Sequence, residues 1–470
     1  MVDVTSSLID IISALVAREV SARELLDHHL ERIGRLDGPI NSVIAIETDR
    51  ARSEAGAIDD ARAAGRSVGP LAGVPVTIKD AIATAGIRST GGAVELRDHV
   101  PEVDATVVAN IRDAGAVVFA KTNVPRWSGD YQTYNDMFGT TNNPWDVERT
   151  PGGSSGGPAA AVAMGFTGFE IGTDIGGSIR VPSSFCGVYG HKPSFGIIPT
   201  YGYLDNPTSH RNVADINVFG PIARSVDDLE LLLGLLAGPN PDEAVAWRLD
   251  LPPARARELG DFRIVAWLDD EFSPVDPAVC GVMEAAIVAL ERAGARIDHD
   301  RRPDVDTTVS AREGSILISS ATEISDGDGE NSAASGGGRG LDHRAWDVLH
   351  RRRGEMRQRW AEFFTDIDVL LCPVTVVPPF RHVHSADGSN WAHATLADHG
   401  DRHYSDLIGW SALIGSAYLP VTVPPIGRTV DGLPVGIQVV APYLHDRTSL
   451  AFTRCMADVL GGYEPPPAAR

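Results

Sequence analysis

Residues 149–193 read RTPGGSSGGPAAAVAMGFTGFEIGTDIGGSIRVPSSFCGVYGHKP. Two glycine-serine turns, GGSSGG and DIGGS, bracket a short helical segment and a short strand, an arrangement that builds sites from backbone. Glycine allows the sharp bends that aim free amides outward, so the turn ending in Ser178 can supply both a nucleophile and donors for an oxyanion. The serine needs a base, because a free hydroxyl is protonated at neutral pH. No GxSxG elbow is present, and His191 lies thirteen residues on, across a strand and a turn, with no geometric reason for contact. Lys79 is the stronger candidate: it ends the apolar β-branched run Gly73–Lys79 (GVPVTIK), where burial disfavours the ammonium and makes a neutral acceptor.

Outward from this block the pattern alternates. Ser21–Asp37 (SARELLDHHLERIGRLD) carries a capping box, Ser21 with Glu24, ahead of Leu25, Leu26, Leu30 and Ile33 at helical spacing. A second helix is expected over Thr48–Ala64, strands over Gly73–Lys79 and Gly115–Ala120, a helix over Asp104–Ala114, and a long aromatic-bearing loop over Thr122–Pro151. A further capping box is read at Ser225 with Asp228. Phe262–Leu268, Pro277–Ala293 and Ala295–Asp300 then give strand, helix and strand, and Asp368–Phe380 and Leu433–Val440 are late buried strands. Ser325–Gly340, rich in Gly, Ser and Asp, reads as an exposed, flexible loop. The alternation predicts an α/β sheet in one large domain: N-terminal helices over about 5–65, a core over about 70–230 and a C-terminal α/β part over about 260–470.

Composition bounds the chemistry. The 470 residues carry a net charge of −22, which offers phosphate no attractive field and argues against nucleic acid as a direct partner. No run reaches the roughly 18 to 20 apolar residues of a membrane span, and the N-terminus lacks a basic signal region and reads as mature structure. Four scattered cysteines without CxxC spacing suggest neither a disulfide framework nor a zinc knuckle, so the expected compartment is the cytoplasm. A homodimer stands only as the commonest arrangement for an oligomer.

GVPVTIKD, GGSSGG and GTDIGGSIRVP, in this order and spacing, resemble the amidase signature family over most of the chain. The resemblance implies that family's fold, a large mixed central sheet flanked by helices on both faces. It also implies a Ser-cisSer-Lys triad of Ser178, Ser154 and Lys79, with a cis peptide between Gly153 and Ser154. Amides of Ile175, Gly176, Gly177 and Ser178 would hold the oxyanion. Ser155, Thr173, Asp174 and Arg180 are expected to support the turns, Arg180 by charge-assisted bonds. No metal or organic cofactor is required. The implied substrate is a small-molecule linear amide, aryl or fatty acyl among them, with esters and carbamates as side substrates. The main reading is a standalone amidase, and the alternative is the glutaminase component of a tRNA-dependent amidotransferase complex. Gly340–Trp360 does not look like that component's glutamine-binding region, which places the alternative second.

Arg126 stands where the family commonly has a glutamate after TNVP, a change expected to alter the charge at the rim of the site. Pro158 after GGSSGG, and HKPS in place of LKPT, read as structural departures. Trp127, Tyr131 and Tyr134 in RWSGDYQTY, with Arg126, are candidates for the substrate pocket, and Trp391 and Trp410 for an aromatic cleft. His382, His384, His393, His399 and His403, beside Asp398 and Asp401, raise a metal hypothesis, but no HExxH pattern supports it and a solvated loop is preferred. Cys186 reads as a buried small hydrophobe.

Overall fold

The computed structural model describes residues 3–204, 213–323, 341–384 and 390–469. A three-stranded sheet is built from β1 (Val43–Ile46), β2 (Pro75–Lys79) and β3 (Val117–Thr122), with β3 central, parallel to β2 and antiparallel to β1. Every residue of β2 and β3 is buried, as continuous Val/Ile-rich runs require when both faces are covered.

The larger sheet comprises β4 (Glu170–Asp174), β5 (Tyr189–Lys192), β6 (Val218–Ala223), β7 (Ile264–Ala266), β8 (Ile297–Asp298), β9 (Val369–Pro373), β10 (Val421–Val423), β11 (Pro425–Arg428) and β12 (Pro434–Val440). Its order is β8-β7-β9-β12-β10-β5-β6-β4, with β11 paired to β12. The pairs β8–β7 and β7–β9 are parallel and the others antiparallel, so the sheet is mixed, and helices pack against it.

The helix α1 (Ala22–Leu36) starts at Ser21, whose hydroxyl accepts from the Glu24 amide while Glu24 returns a bond to the Ser21 amide. At Ser225 only half of the expected box forms. Ser225 accepts from the Asp228 amide, but the Asp228 carboxylate turns to the amide of Ile9, joining the N-terminal helix to Val226–Leu236. The expected loop over 122–151 contains a single 3-10 turn and a two-residue hairpin, Tyr134–Asn135 with Gly139–Thr140. The loop expected over 325–340 falls outside the described residues.

Among the described residues the apolar core falls into two large clusters, one joining the N-terminal helices to the small sheet and 159–171 and the other around β7, β9, β10 and β12, and a small third one of Ile216, Leu317, Ile318, Ala412 and Tyr418. Lys79 therefore does not sit in the large sheet. It ends β2, and β2 packs against β4 at the edge of the large sheet. Among the described residues no helix is long and apolar enough to cross a membrane.

Candidate active site

Lys79 is wholly buried, and its three ammonium hydrogens have three acceptors: Ser154 Oγ at 2.8 Å, Ser155 Oγ at 2.9 Å and Thr173 Oγ1 at 2.7 Å. None of these is an anion. Burial pushes the lysine down from its ordinary 10.5 to about 7, against the charges of Asp174 and then Glu170, which pull it up.

The Gly153–Ser154 peptide is cis. The helix Gly156–Ala163 follows at once and lies against β4. Gly157 is needed at its start, because a Cβ there would stand 2.3 Å from the carbonyl oxygen of Asn123. The two serine turns touch directly: the Ser155 amide donates to the Ser178 carbonyl at 3.2 Å, and the Thr173 amide to Ser155 Oγ at 3.3 Å.

Ser178 follows β4 by way of Gly177, whose φ of +123° is one that side-chain-bearing residues rarely adopt. A Cβ on Gly177 would also lie 2.7 Å from both Ser411 Oγ and the Tyr131 hydroxyl oxygen. Asp174 fastens this turn, accepting from the amides of Gly177 at 2.9 Å and Ile179 at 3.0 Å and from both arms of Arg180 at 2.8 and 3.0 Å. Burial works to raise the Asp174 carboxyl, but the Arg180 charge and hydrogen bonds outweigh it and hold the group at about 2. Arg180 also donates to the carbonyl of Ser411 and to Gln438 Oε1, tying the turn to Gly409–Ser416 and β12. Of Lys79, Ser154 and Ser178, only Ser178 reaches solvent, at 6% exposure against 0% for the other two.

Within the expected oxyanion set of Ile175, Gly176, Gly177 and Ser178, the Gly177 amide donates to Asp174 at 2.9 Å in this structure. The aromatic candidates separate. Tyr131 is at the turn, its hydroxyl donating to the Gly176 carbonyl and its ring edge-on to Trp391. Tyr134 stacks on His384 and bonds Asp130. Arg126 is exposed and paired with Glu95 and the Trp127 ring, and Trp127 lies over Gly91. Trp410 is core, packed on Trp267 and donating to the Ser273 carbonyl.

His399 pairs with Asp276, His403 with Ser405, and the His382 and His384 rings lie together, while the side chain of His393 is outside the described set. Among the described residues no group of three or more His, Cys, Asp or Glu side chains could hold a metal. Cys186 is buried, and burial pushes its thiol up.

Two features escaped sequence reasoning. Asp130 is a buried hub for Tyr404, Asn390 and Tyr134, assembled from segments far apart in the chain. Glu170 is a buried carboxylate at the first position of β4. Only the second had a sequence signal, as the one charged residue within the apolar GFEIG.

The amidase family model matches residues 24–450. The chain belongs to the amidase family. Its membership makes it an amide-hydrolysing enzyme. Among curated relatives, a glutamyl-tRNA(Gln) amidotransferase component from Thermosynechococcus vestitus is 31% identical over 92% of this chain and 94% of its own. A solved structure described as a vestigial protein complex bearing on the origins of an s-triazine catabolic enzyme shares 26% identity, with a TM-score of 0.82 over 98% of this amidase and all of that chain. A bacterial aryl acylamidase shares the fold, at 24% identity and a TM-score of 0.79 over 97% of this chain and 96% of that one.

Proposed function

We propose that this amidase hydrolyses a linear carboxylic amide through an acyl-enzyme on Ser178, with Ser154 as proton relay and Lys79 as base. The observation that carries the reading is the 2.8 Å bond from Lys79 Nζ to Ser154 Oγ, in a site where the lysine is buried and Ser178 alone meets solvent. Neutral Lys79 takes the Ser154 hydroxyl proton as Ser154 takes that of Ser178, and Ser178 Oγ bonds to the amide carbon. The oxyanion is held by amides from Ile175, Gly176 and Ser178, each essential donor worth about 3 to 4 kcal/mol in comparable sites. Collapse breaks the C–N bond, and the proton returns through Ser154 to the departing nitrogen. Water then repeats the relay on the ester, releasing the acid and restoring Ser178. The chemistry draws on no metal or organic cofactor, and the same steps would serve esters and carbamates.

A second reading concerns which amide is cleaved, and the curated relatives favour it over the standalone amidase that sequence alone put first. Proteins named as parts of a glutamyl-tRNA(Gln) amidotransferase match across nine-tenths of the chain. In that reading the amide is glutamine and the released ammonia passes to a partner protein. The acidic charge of this chain leaves tRNA contacts to the partner. A cytoplasmic location suits either role.

The test is intact-protein mass after exposure to a fluorophosphonate. One adduct on the wild type and none on Ser178→Ala is the expected result, and an adduct of unchanged yield on Ser178→Ala refutes the nucleophile. Ammonia release from glutamine only with the other amidotransferase components present selects the second reading. Turnover of anilides or other amides by the purified chain selects the first.

A further inference from the structure

Glu170 is fully buried where β2, β3 and β4 meet, and its four hydrogen bonds among the described residues come from donors on those strands. Oε1 accepts from the hydroxyls of Thr77 and Thr122, each at 2.7 Å. Oε2 accepts from the backbone amides of Lys79 at 3.1 Å and Ile171 at 3.0 Å. The carboxylate thus grips the amide of the very residue proposed as the base. It does so from the same strand that carries Thr173, one of the three acceptors of Lys79 Nζ. Among the described residues no cation bonds it directly, so its charge is directed into the surrounding field.

We infer that Glu170 is a positioning residue that fixes the backbone of Lys79 and, through its negative charge, sets the pH at which Lys79 becomes a neutral base. The inference rests on the Lys79–Ser154–Ser178 reading above and deepens it. Burial alone favours the neutral lysine; Asp174 and Glu170 are the two anions that oppose it. Asp174 is already neutralised by its bidentate pair with Arg180 and is also influenced by Lys192. Glu170 has no such direct partner among the described residues. The other charged group acting on it is Lys121, itself held between the Ile82 carbonyl and Thr84 and under the influence of Asp80, Asp104 and Arg112. Burial lifts the Glu170 carboxyl to about 7, against the hydrogen bonds of Thr77, Thr122 and the Ile171 amide.

Glu170→Gln isolates the charge, because the pattern of donors fits an amide. Its NH2 can face the two threonine hydroxyls, which accept as readily as they donate, and its carbonyl oxygen can keep the two backbone amides. The rate of fluorophosphonate labelling of Ser178, followed by intact mass from about pH 5 to 9, reads the fraction of neutral Lys79 without requiring the natural substrate. Removing the anion should move the midpoint of that profile down, by at most about one pH unit, with the gain in rate read near pH 7 and the two profiles converging toward pH 5, where the wild-type carboxyl is itself protonated. A limb that stays at its wild-type position, whatever the height of the plateau, overturns the inference and leaves Glu170 a structural clamp. If Glu170→Gln does not fold, Thr122→Val answers in the same terms. It keeps the carboxylate but strips one donor, and should move the limb in the same direction by a smaller amount, while an unmoved limb again refutes the proposal. Labelling that persists in Ser178→Ala would instead sink the nucleophile assignment and say nothing against Glu170.

Discussion

The pH dependence of acylation provides the sharpest check on Lys79. Burial lowers this lysine from 10.5 to about 7, a bias of roughly 5 kcal/mol against the ammonium at 1.36 kcal/mol per unit. At pH 7 about half of the molecules then carry a neutral base, against about one in 3,000 for an ordinary lysine. Wild-type labelling by a fluorophosphonate, or hydrolysis of an amide, should fall about tenfold per pH unit below the limb and level off above pH 8. Lys79→Met should remove nearly all of the rate at every pH, because the relay works as a unit. Stability supplies an independent reading of the same shift. The folded-state value lies below the unfolded one, so between about 7 and 10.5 the unfolded chain binds the extra proton. The stability of wild type relative to Lys79→Met should therefore rise as pH climbs through that window, and be flat below it. Urea unfolding of both proteins at pH 6, 7, 8 and 9 measures this. An acid limb absent down to pH 5, or a stability difference indifferent to pH, would refute the buried-lysine base.

The remaining expectations concern the turn that carries Ser178. Arg180→Met leaves Asp174 as an uncompensated buried charge and should cost about 3 to 5 kcal/mol of stability in denaturant titration, with labelling of Ser178 falling along with it because the same carboxylate holds the Gly177 amide. Gly177→Ala forces a Cβ to within 2.7 Å of two hydroxyl oxygens at a φ of +123°. It should abolish acylation even where circular dichroism shows a folded protein, and wild-type labelling in this variant would mean the turn is not strained as described.

Much of the fold was legible because burial and secondary structure coincide in sequence. GVPVTIK and GAVVFA are unbroken apolar runs of strand length, and both are buried strands. Ser21 and Glu24 form their reciprocal cap because both partners lie within one turn of the helix that they begin. Where a partner comes from elsewhere, pattern fails. Asp228 has the spacing of a capping box with Ser225, yet the amide of Ile9, 219 residues away, takes its carboxylate. The separation of the three-stranded sheet from the nine-stranded one was equally invisible, since nothing in a five-residue apolar run says which neighbours it pairs with.

The same distinction governs the site. Ser154, Ser178 and Lys79 were recognisable because their turns have a composition that few other structures need, and the lysine sits at a strand end where burial follows from its neighbours. What sequence could not supply is how each amide and hydroxyl is spent. GTDIGGS offers four amides to an oxyanion on paper, but Asp174 claims that of Gly177, and the choice depends on a carboxylate already oriented by Arg180. Ser155 and Thr173 contribute more than turn geometry, since both accept directly from Lys79 Nζ. With three neutral oxygens around the ammonium, no direct ion pair among the described residues locks the lysine in its charged form. Desolvation is then free to lower its proton affinity, and the nearby carboxylates Asp174 and Glu170 limit how far that lowering goes. A lysine salt-bridged in the same pocket would be an anchor. Surrounding it with hydroxyls, and keeping its anions one contact further away, is what makes it suited to act as a base near neutral pH.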